Sequence, residues 1–249
     1  MPATRRASIT TMTTDGMTTD GLYRLVAWLS PSFPTGAFSY SHGLEAEVEA
    51  GRVRDRETLQ AWITTMIRHG GGRVDADLLR DAYRGESVNE RGLAYRATAE
   101  LALESAAQGT SFAATLAAAW IEVAPHPNPL PARGEREGRA KREGEGQTTW
   151  ETCHAVAVGG AAAEAGVTLE DTLALYLQSF AGNLMSAGLR LGIIGQTDGQ
   201  RILAALERVI AGAVAACIAR GKEDFGAATF AGDIASMTHE TQYSRLFRS

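Results

Sequence analysis

The chain of 249 residues predicts an all-α fold, a single helical-bundle domain of roughly ten helices. Three observations carry this expectation. Alanine, leucine and glycine dominate, and alternating β-branched runs are few, which favours helix over sheet. Apolar residues recur at i, i+3, i+4 spacing along most segments. Glycines, prolines and capping residues punctuate those segments at short intervals, as a bundle with short connections requires.

Residues 1–19 are polar and threonine-rich, with Arg5 and Arg6 but no apolar h-region. They predict a disordered N-terminal extension rather than a secretory leader, and Met17 stands as an alternative start. The helical domain is expected over 20–249. Its first apolar stripe is Leu22, Leu25, Val26 and Leu29, stopped by Ser30-Pro31. After a proline-rich loop, Ser41 to Ala50 reads as a helix ended near Gly51. Asp55 can cap the next helix, whose stripe is Leu59, Trp62, Ile63, Met66 and Ile67. The His69-Gly70-Gly71-Gly72 run breaks it, and Val74 to Tyr83 forms a further short helix. Residues 87–122 read as one long or two consecutive helices, jointed near Gly109.

Residues 125–147 change character, with four of the seven prolines followed by alternating charge and glycine. So little apolar surface cannot offset ordering entropy, and a disordered insertion between helices is expected. Order resumes near Thr149, with an Ala/Val helix from Trp150 to Ala165. Thr168 with Asp171 opens the next helix, whose stripe is Leu173, Tyr176, Leu177, Phe180 and Leu184. Thr197 and Gln200 match a second capping box, ahead of Ile202, Leu203, Leu206, Val209, Ile210 and Val214. A short helix near Thr229 to Met237 precedes the tail.

Several chemistries find no support. A net charge of -5 gives no electrostatic case for nucleic acid. No run of about 18 uncharged apolar residues indicates a membrane span. Cys153 and Cys217 lie far apart without metal-ligand spacing, which fits a reducing cytosol and a cytoplasmic protein. The His69–Gly72 run matches an esterase oxyanion pattern, yet no G-x-S-x-G elbow accompanies it. No G-x-x-x-x-G-K-[ST] loop is present, so any nucleotide hydrolysis belongs to another protein. Among His42, His69, His126, His154 and His239 no pair has metal-binding spacing, and no cofactor or tightly bound metal is expected.

Two stretches point to recognition. Residues 28–43, WLSPSFPTGAFSYSHG, hold Pro31 and Pro34 with fixed φ, glycines at 36 and 43, and the rings of Phe33, Phe38 and Tyr40. Such a loop reads as a shaped surface. Residues 239–249, HETQYSRLFRS, place Tyr243, Arg245, Phe247 and Arg248 in a terminus that is ordinarily polar and frayed. Two readings stay open for the tail, partner anchoring and docking on the body, and both can hold at once.

These stretches closely resemble the N-terminal signature and the C-terminal tail of the UreF family of urease accessory proteins. Gly195-Gln196-Thr197-Asp198-Gly199-Gln200 resembles a third family motif, and the likeness covers roughly residues 21–249 apart from the insertion. Two departures stand out: Ile193-Ile194 where the family more often has Pro-Leu, and Glu100-Leu101-Ala102 where Glu-Leu-Arg is frequent. The resemblance implies a non-enzymatic, homodimeric scaffold. It implies binding of UreD (UreH in some species) and of the GTPase UreG, in a complex that delivers nickel to apo-urease. It also implies partner-binding residues Phe38, Tyr40, Ser41, His42, Gln200, His239, Glu240, Tyr243, Arg245, Phe247 and Arg248, with Arg245 linked to GTPase recruitment. The alternative is a small-molecule-binding helical domain that uses loop 30–43 as its pocket.

Overall fold

The computed structural model describes residues 19–120 and 152–249. In chain order the helices are α1 (Thr19–Trp28), α2 (Leu44–Glu49), α3 (Arg56–His69), α4 (Gly71–Tyr83), α5 (Asn89–Ala94) and α6 (Ala99–Ala119). They continue as α7 (His154–Glu164), α8 (Leu169–Arg190), α9 (Gln196–Ala219) and α10 (Phe230–Glu240). Short 3-10 turns lie at Ala37–Ser39 and Lys222–Asp224. The all-α class holds: the described residues form ten α-helices and no strand. The expected insertion at 125–147 and the extension up to residue 18 lie outside the described residues, while Thr19 already belongs to α1.

Helix α4 is the axis of the bundle, packed against α3, α7, α8 and α9. Every residue from Val74 to Ala82 is buried, including Asp75, Asp77, Arg80 and Asp81. Buried charge is tolerated only when paired. Asp75 takes the Arg96 guanidinium at 2.7 Å and the Tyr176 hydroxyl at 3.0 Å. Asp77 takes Arg220 at 2.6 Å and Arg80 at 3.3 Å, and Arg80 reaches Asp81 at 2.8 Å. Apolar stripes close around this charged helix: Leu59, Ile63, Met66 and Ile67 from α3, Leu173, Leu177 and Leu184 from α8, and Ile202, Leu206 and Ile210 from α9. Among the described residues, α9 alone is long and apolar enough to cross a membrane, and its apolar stripe is spent on this core. Helix α7 is built from small residues and packs between α4 and α6. There the backbones approach so closely that a Cβ on Gly159 would lie 2.4 Å from the Leu79 carbonyl oxygen.

Several boundaries differ from expectation. Helix α2 starts at Leu44 rather than Ser41, because His42 and Gly43 both adopt positive φ (53° and 77°) and break the helical path. Only Gly70 separates α3 from α4, so Gly71 and Gly72 lie inside a helix that the sequence places from Val74. The joint between α5 and α6 falls at 95–98, where Thr98 caps α6, and not at Gly109. Gly109 is a contact glycine instead: a Cβ there would collide with the Thr152 carbonyl. Helix α7 starts at His154, after Cys153 in extended conformation, rather than at Trp150. The Thr197–Gln200 capping box does not form. Gly195 takes the N-cap in extended conformation, so Thr197 already sits inside the first turn of α9.

The cap at Asp55 forms as expected: its carboxylate accepts the Thr58 N–H at 2.9 Å, while the Thr58 hydroxyl accepts the Asp55 N–H at 3.1 Å. Replacing Asp55 by Ala is expected to cost about 1 kcal/mol. Thermal denaturation should show a drop of about 2–4 °C, and an unchanged midpoint would deny the box any role in stability.

Candidate functional site

The two terminal motifs meet on one face. Pro31 and Pro34 hold the first loop open, Phe33 is buried against Phe112 with ring centroids 5.2 Å apart, and Phe38 is left 66% exposed. The consecutive positive φ at His42 and Gly43 then swings the chain into α2. A Cβ on Gly43 would lie 2.7 Å from the Ser236 backbone nitrogen, so only glycine lets α10 approach this close.

The tail runs back from α10 across the same loop. The Arg248 N–H donates to the Ser39 carbonyl at 2.8 Å, and the Ser41 N–H donates to the Ser249 carbonyl at 2.6 Å. Glu45, on α2, is the anchor. Its buried carboxylate accepts the Leu246 N–H at 2.7 Å and the Phe247 N–H at 2.9 Å, and it faces His239 Nε2 at 3.2 Å. The other side of His239, Nδ1, lies 2.7 Å from Glu100, which also pairs with Arg245. Glu240 accepts the Glu100 N–H at 3.2 Å. The Arg190 guanidinium sits 4.2 Å from the centroid of the buried Phe247 ring and donates to the Phe38 carbonyl. A carboxylate that accepts several hydrogen bonds in a buried setting is a strong, geometry-fixing contact.

Behind the loop lies a polar cavity of about 50 Å³, lined by Tyr40, His42, Asp75, Arg96, Glu104 and His154 among others. That volume suits one or two waters, whereas small-molecule sites run to several hundred Å³. His42 Nε2 pairs with Glu104 at 3.1 Å, and Ser249 Oγ donates to the same carboxylate at 2.9 Å. Burial pulls the His42 imidazole down, but the Glu104 charge and hydrogen bond outweigh it and hold it above the ordinary value. His154 differs: burial pushes it down to about 4, and its buried Nε2 has no hydrogen-bond partner among the described residues. Among the described residues, no group of three or more His, Cys, Asp or Glu is placed to hold a metal ion.

The His154 shift carries a sign. Its folded value lies below the ordinary 6.5, so on acidification the unfolded chain takes the proton first and stability falls. His154→Phe is expected to lose about 2 kcal/mol less than wild type between about pH 6.5 and 4. His42, raised instead, contributes stability that is present at low pH and fades on alkalinisation, but it is common to both proteins. Urea denaturation at each pH checks this, and parallel curves would refute it.

The structure therefore brings together ten of the eleven residues singled out in the sequence. Tyr40, Ser41, His239 and Phe247 are buried within the joint, and His42 is half-buried behind it. Phe38, Glu240, Tyr243, Arg245 and Arg248 stand at its surface, Tyr243 with full exposure. Gln200 stands exposed just past the first turn of α9, outside this network. Both open readings of the tail acquire residues: one set docks it and another remains outward. Sequence reasoning missed the three carboxylates Glu45, Glu100 and Glu104, and Arg190. An acidic residue on a helix ordinarily reads as solvated, and the available signal was position alone, Glu45 beside the loop motif and Glu100 in a noted departure.

The UreF family model matches residues 53–207. The urease accessory protein UreF of Rhodopseudomonas palustris (strain BisB18) is 44% identical over 237 residues, covering 92% of each chain. That of Bradyrhizobium diazoefficiens is 41% identical over 237 residues, covering 92% of this chain and 91% of the relative. That of Roseobacter denitrificans is 37% identical over 238 residues, covering 94% and 96% respectively.

Proposed function

The chain belongs to the UreF family of urease accessory proteins, and we propose that it is a non-enzymatic cytoplasmic scaffold that joins UreD/UreH to the GTPase UreG. The complex so formed delivers nickel to apo-urease, with nickel as cargo, and the scaffold works as a homodimer. The observation that carries the reading is the joint itself. Loop 30–43 and tail 239–249, about two hundred residues apart in sequence, are held as one surface by Glu45, His239 and Glu100. A surface made rigid in advance loses less entropy on binding a partner.

Two parts of that surface suit two partners. Phe230, Ile234 and Met237 form an exposed apolar stripe along α10, and Tyr243 and Leu246 add exposed apolar surface in the tail. An apolar stripe at helical spacing suits a stable hydrophobic interface, and it is assigned to UreD/UreH. Arg245 and Arg248, both exposed on the tail, suit the GTPase, since arginine offers a planar fork to carboxylates. Arg245 is held by Glu100 in the isolated chain, so it is presented in a fixed direction. The small-molecule reading of loop 30–43 finds little room in the cavity behind the loop, and a ligand would have to sit in the open hollow of about 370 Å³ along Ser30, Ser32, Phe33 and Pro34.

Co-purification with UreD and UreG, with molar mass by light scattering, tests the reading. Wild type is expected to give a ternary complex, and Arg245→Ala is expected to keep UreD while losing UreG. Capture of neither partner by folded wild-type protein would overturn the scaffold reading. Full UreG capture by Arg245→Ala would remove that arginine from the interface.

A further inference from the structure

A second concave surface lies away from the loop and tail, where the α3–α4 junction faces α9. This groove has a volume of about 420 Å³, and its lining includes Arg68, His69, Arg73 and Arg220, with no carboxylate among the lining residues. Its other walls are apolar or small: Ile67, Ala76, Gly212, Ala213, Ala216 and Cys217.

The cations are set in different ways. Arg220 is anchored from below, its guanidinium 2.6 Å from the fully buried Asp77, while Arg80 donates to its carbonyl at 3.1 Å. Arg73 donates from Nη2 to the Asp224 carbonyl at 2.7 Å, with the exposed Asp224 carboxylate at 3.7 Å. Its Nε is buried and has no acceptor among the described residues. Arg68 and His69 are exposed, and among the described residues no carboxylate lies within ion-pair distance of either.

Converging cations with small-residue walls and no acidic lining group are the chemistry of an oxyanion site, and guanidinium forks match tetrahedral phosphate oxygens. The volume is that of a small-ligand site. We propose that this groove binds a phosphate group, with Arg73 and Arg68 as its ligands and Arg220 as a fixed cationic floor. It is distinct from the joint between loop and tail, and it absorbs the His69–Gly72 run that the scaffold function leaves unused. Those glycines let α3 pass into α4 with a single residue between them, which places Arg68 and Arg73 at one groove.

The test uses the full chain, titrated with inorganic phosphate, pyrophosphate and guanosine diphosphate against chloride at matched ionic strength. Melting temperature and calorimetry are the readouts. Wild type is expected to show saturable binding and a raised midpoint with phosphate but not chloride. Arg73→Gln is expected to weaken binding at least tenfold, and Arg68→Gln, at an exposed position, reports the same loss without risk to the fold. Equal affinity for all three phosphates identifies a free phosphate ligand, while tighter binding of pyrophosphate or the nucleotide identifies a phosphoryl chain. No saturable phosphate effect, or one unchanged in both variants, overturns the proposal. So does binding of a poly-glutamate peptide by a protein that ignores phosphate.

Discussion

Replacing Glu45 by Ala is expected to release the C-terminal tail and, on the function proposed above, to abolish capture of UreG, while the helical bundle stays folded. Glu45 satisfies two backbone N–H groups of the tail and faces one ring nitrogen of His239. Its loss leaves those donors without their acceptor in a buried place, at about 1–3 kcal/mol for each orphaned group. The prediction requires that cost to exceed what the remaining anchors contribute, namely the Arg248–Ser39 and Ser41–Ser249 bonds, the Ser249–Glu104 contact and the buried Phe247 ring. Hydrogen exchange at Leu246, Phe247 and Arg248 should rise to unprotected rates, with far-UV circular dichroism almost unchanged. Glu45→Gln, which keeps an acceptor and the shape, should fall between. Retained protection of those amides in Glu45→Ala would show that the tail is held by something else. The pair Glu45→Ala and Arg245→Ala also separates two roles. The first is expected to disturb every contact of the tail surface, the second only the contact made by that side chain.

Gly159→Ala is expected to cost about 3 kcal/mol. The added Cβ would lie 2.4 Å from the Leu79 carbonyl oxygen and 3.2 Å from two further Leu79 backbone atoms. Leu79 belongs to α4, which is packed on all sides, so neither helix can yield cheaply. The neighbouring Gly160 is the control, since a Cβ there meets nothing within 4 Å. Gly160→Ala should be neutral or stabilising by up to about 1 kcal/mol, as alanine is the better helix former. Chemical denaturation of the two variants decides the matter. Equal stabilities would mean that the α4–α7 contact is not a close one.

The stripes of α3, α8 and α9 were legible because each helix has one neighbour side and one solvent side, which writes a 3.6-residue period into the sequence. The caps at Asp55 and Thr168 were legible because a cap is a local bond, two or three residues long. The cap expected at Thr197 failed for the complementary reason. Gly195 adopts the extended conformation and takes the N-cap two residues earlier, a backbone choice that a side-chain pattern does not record. Gly109 failed as a joint because glycine serves two ends, flexibility and close approach, and only the neighbour across the gap tells them apart.

By itself the sequence determined the helical class, most helix spans and the apolar stripes, all of which rest on local preference or on the period of a single helix. Tertiary structure alone decided that α4 is the axis despite four buried charged residues, because burial on every side erases the period and the partners are Arg91 and Arg96 from the α5–α6 region, the Tyr176 hydroxyl of α8 and Arg220 at the end of α9. It alone decided that Glu45, Glu100 and His239 bind the tail to the loop, since a hydrogen bond across about two hundred residues leaves no spacing to read. It alone decided that Tyr40 and Phe247 face inward while Phe38 and Tyr243 face outward, because which side of a loop meets the core is set by what packs beneath it.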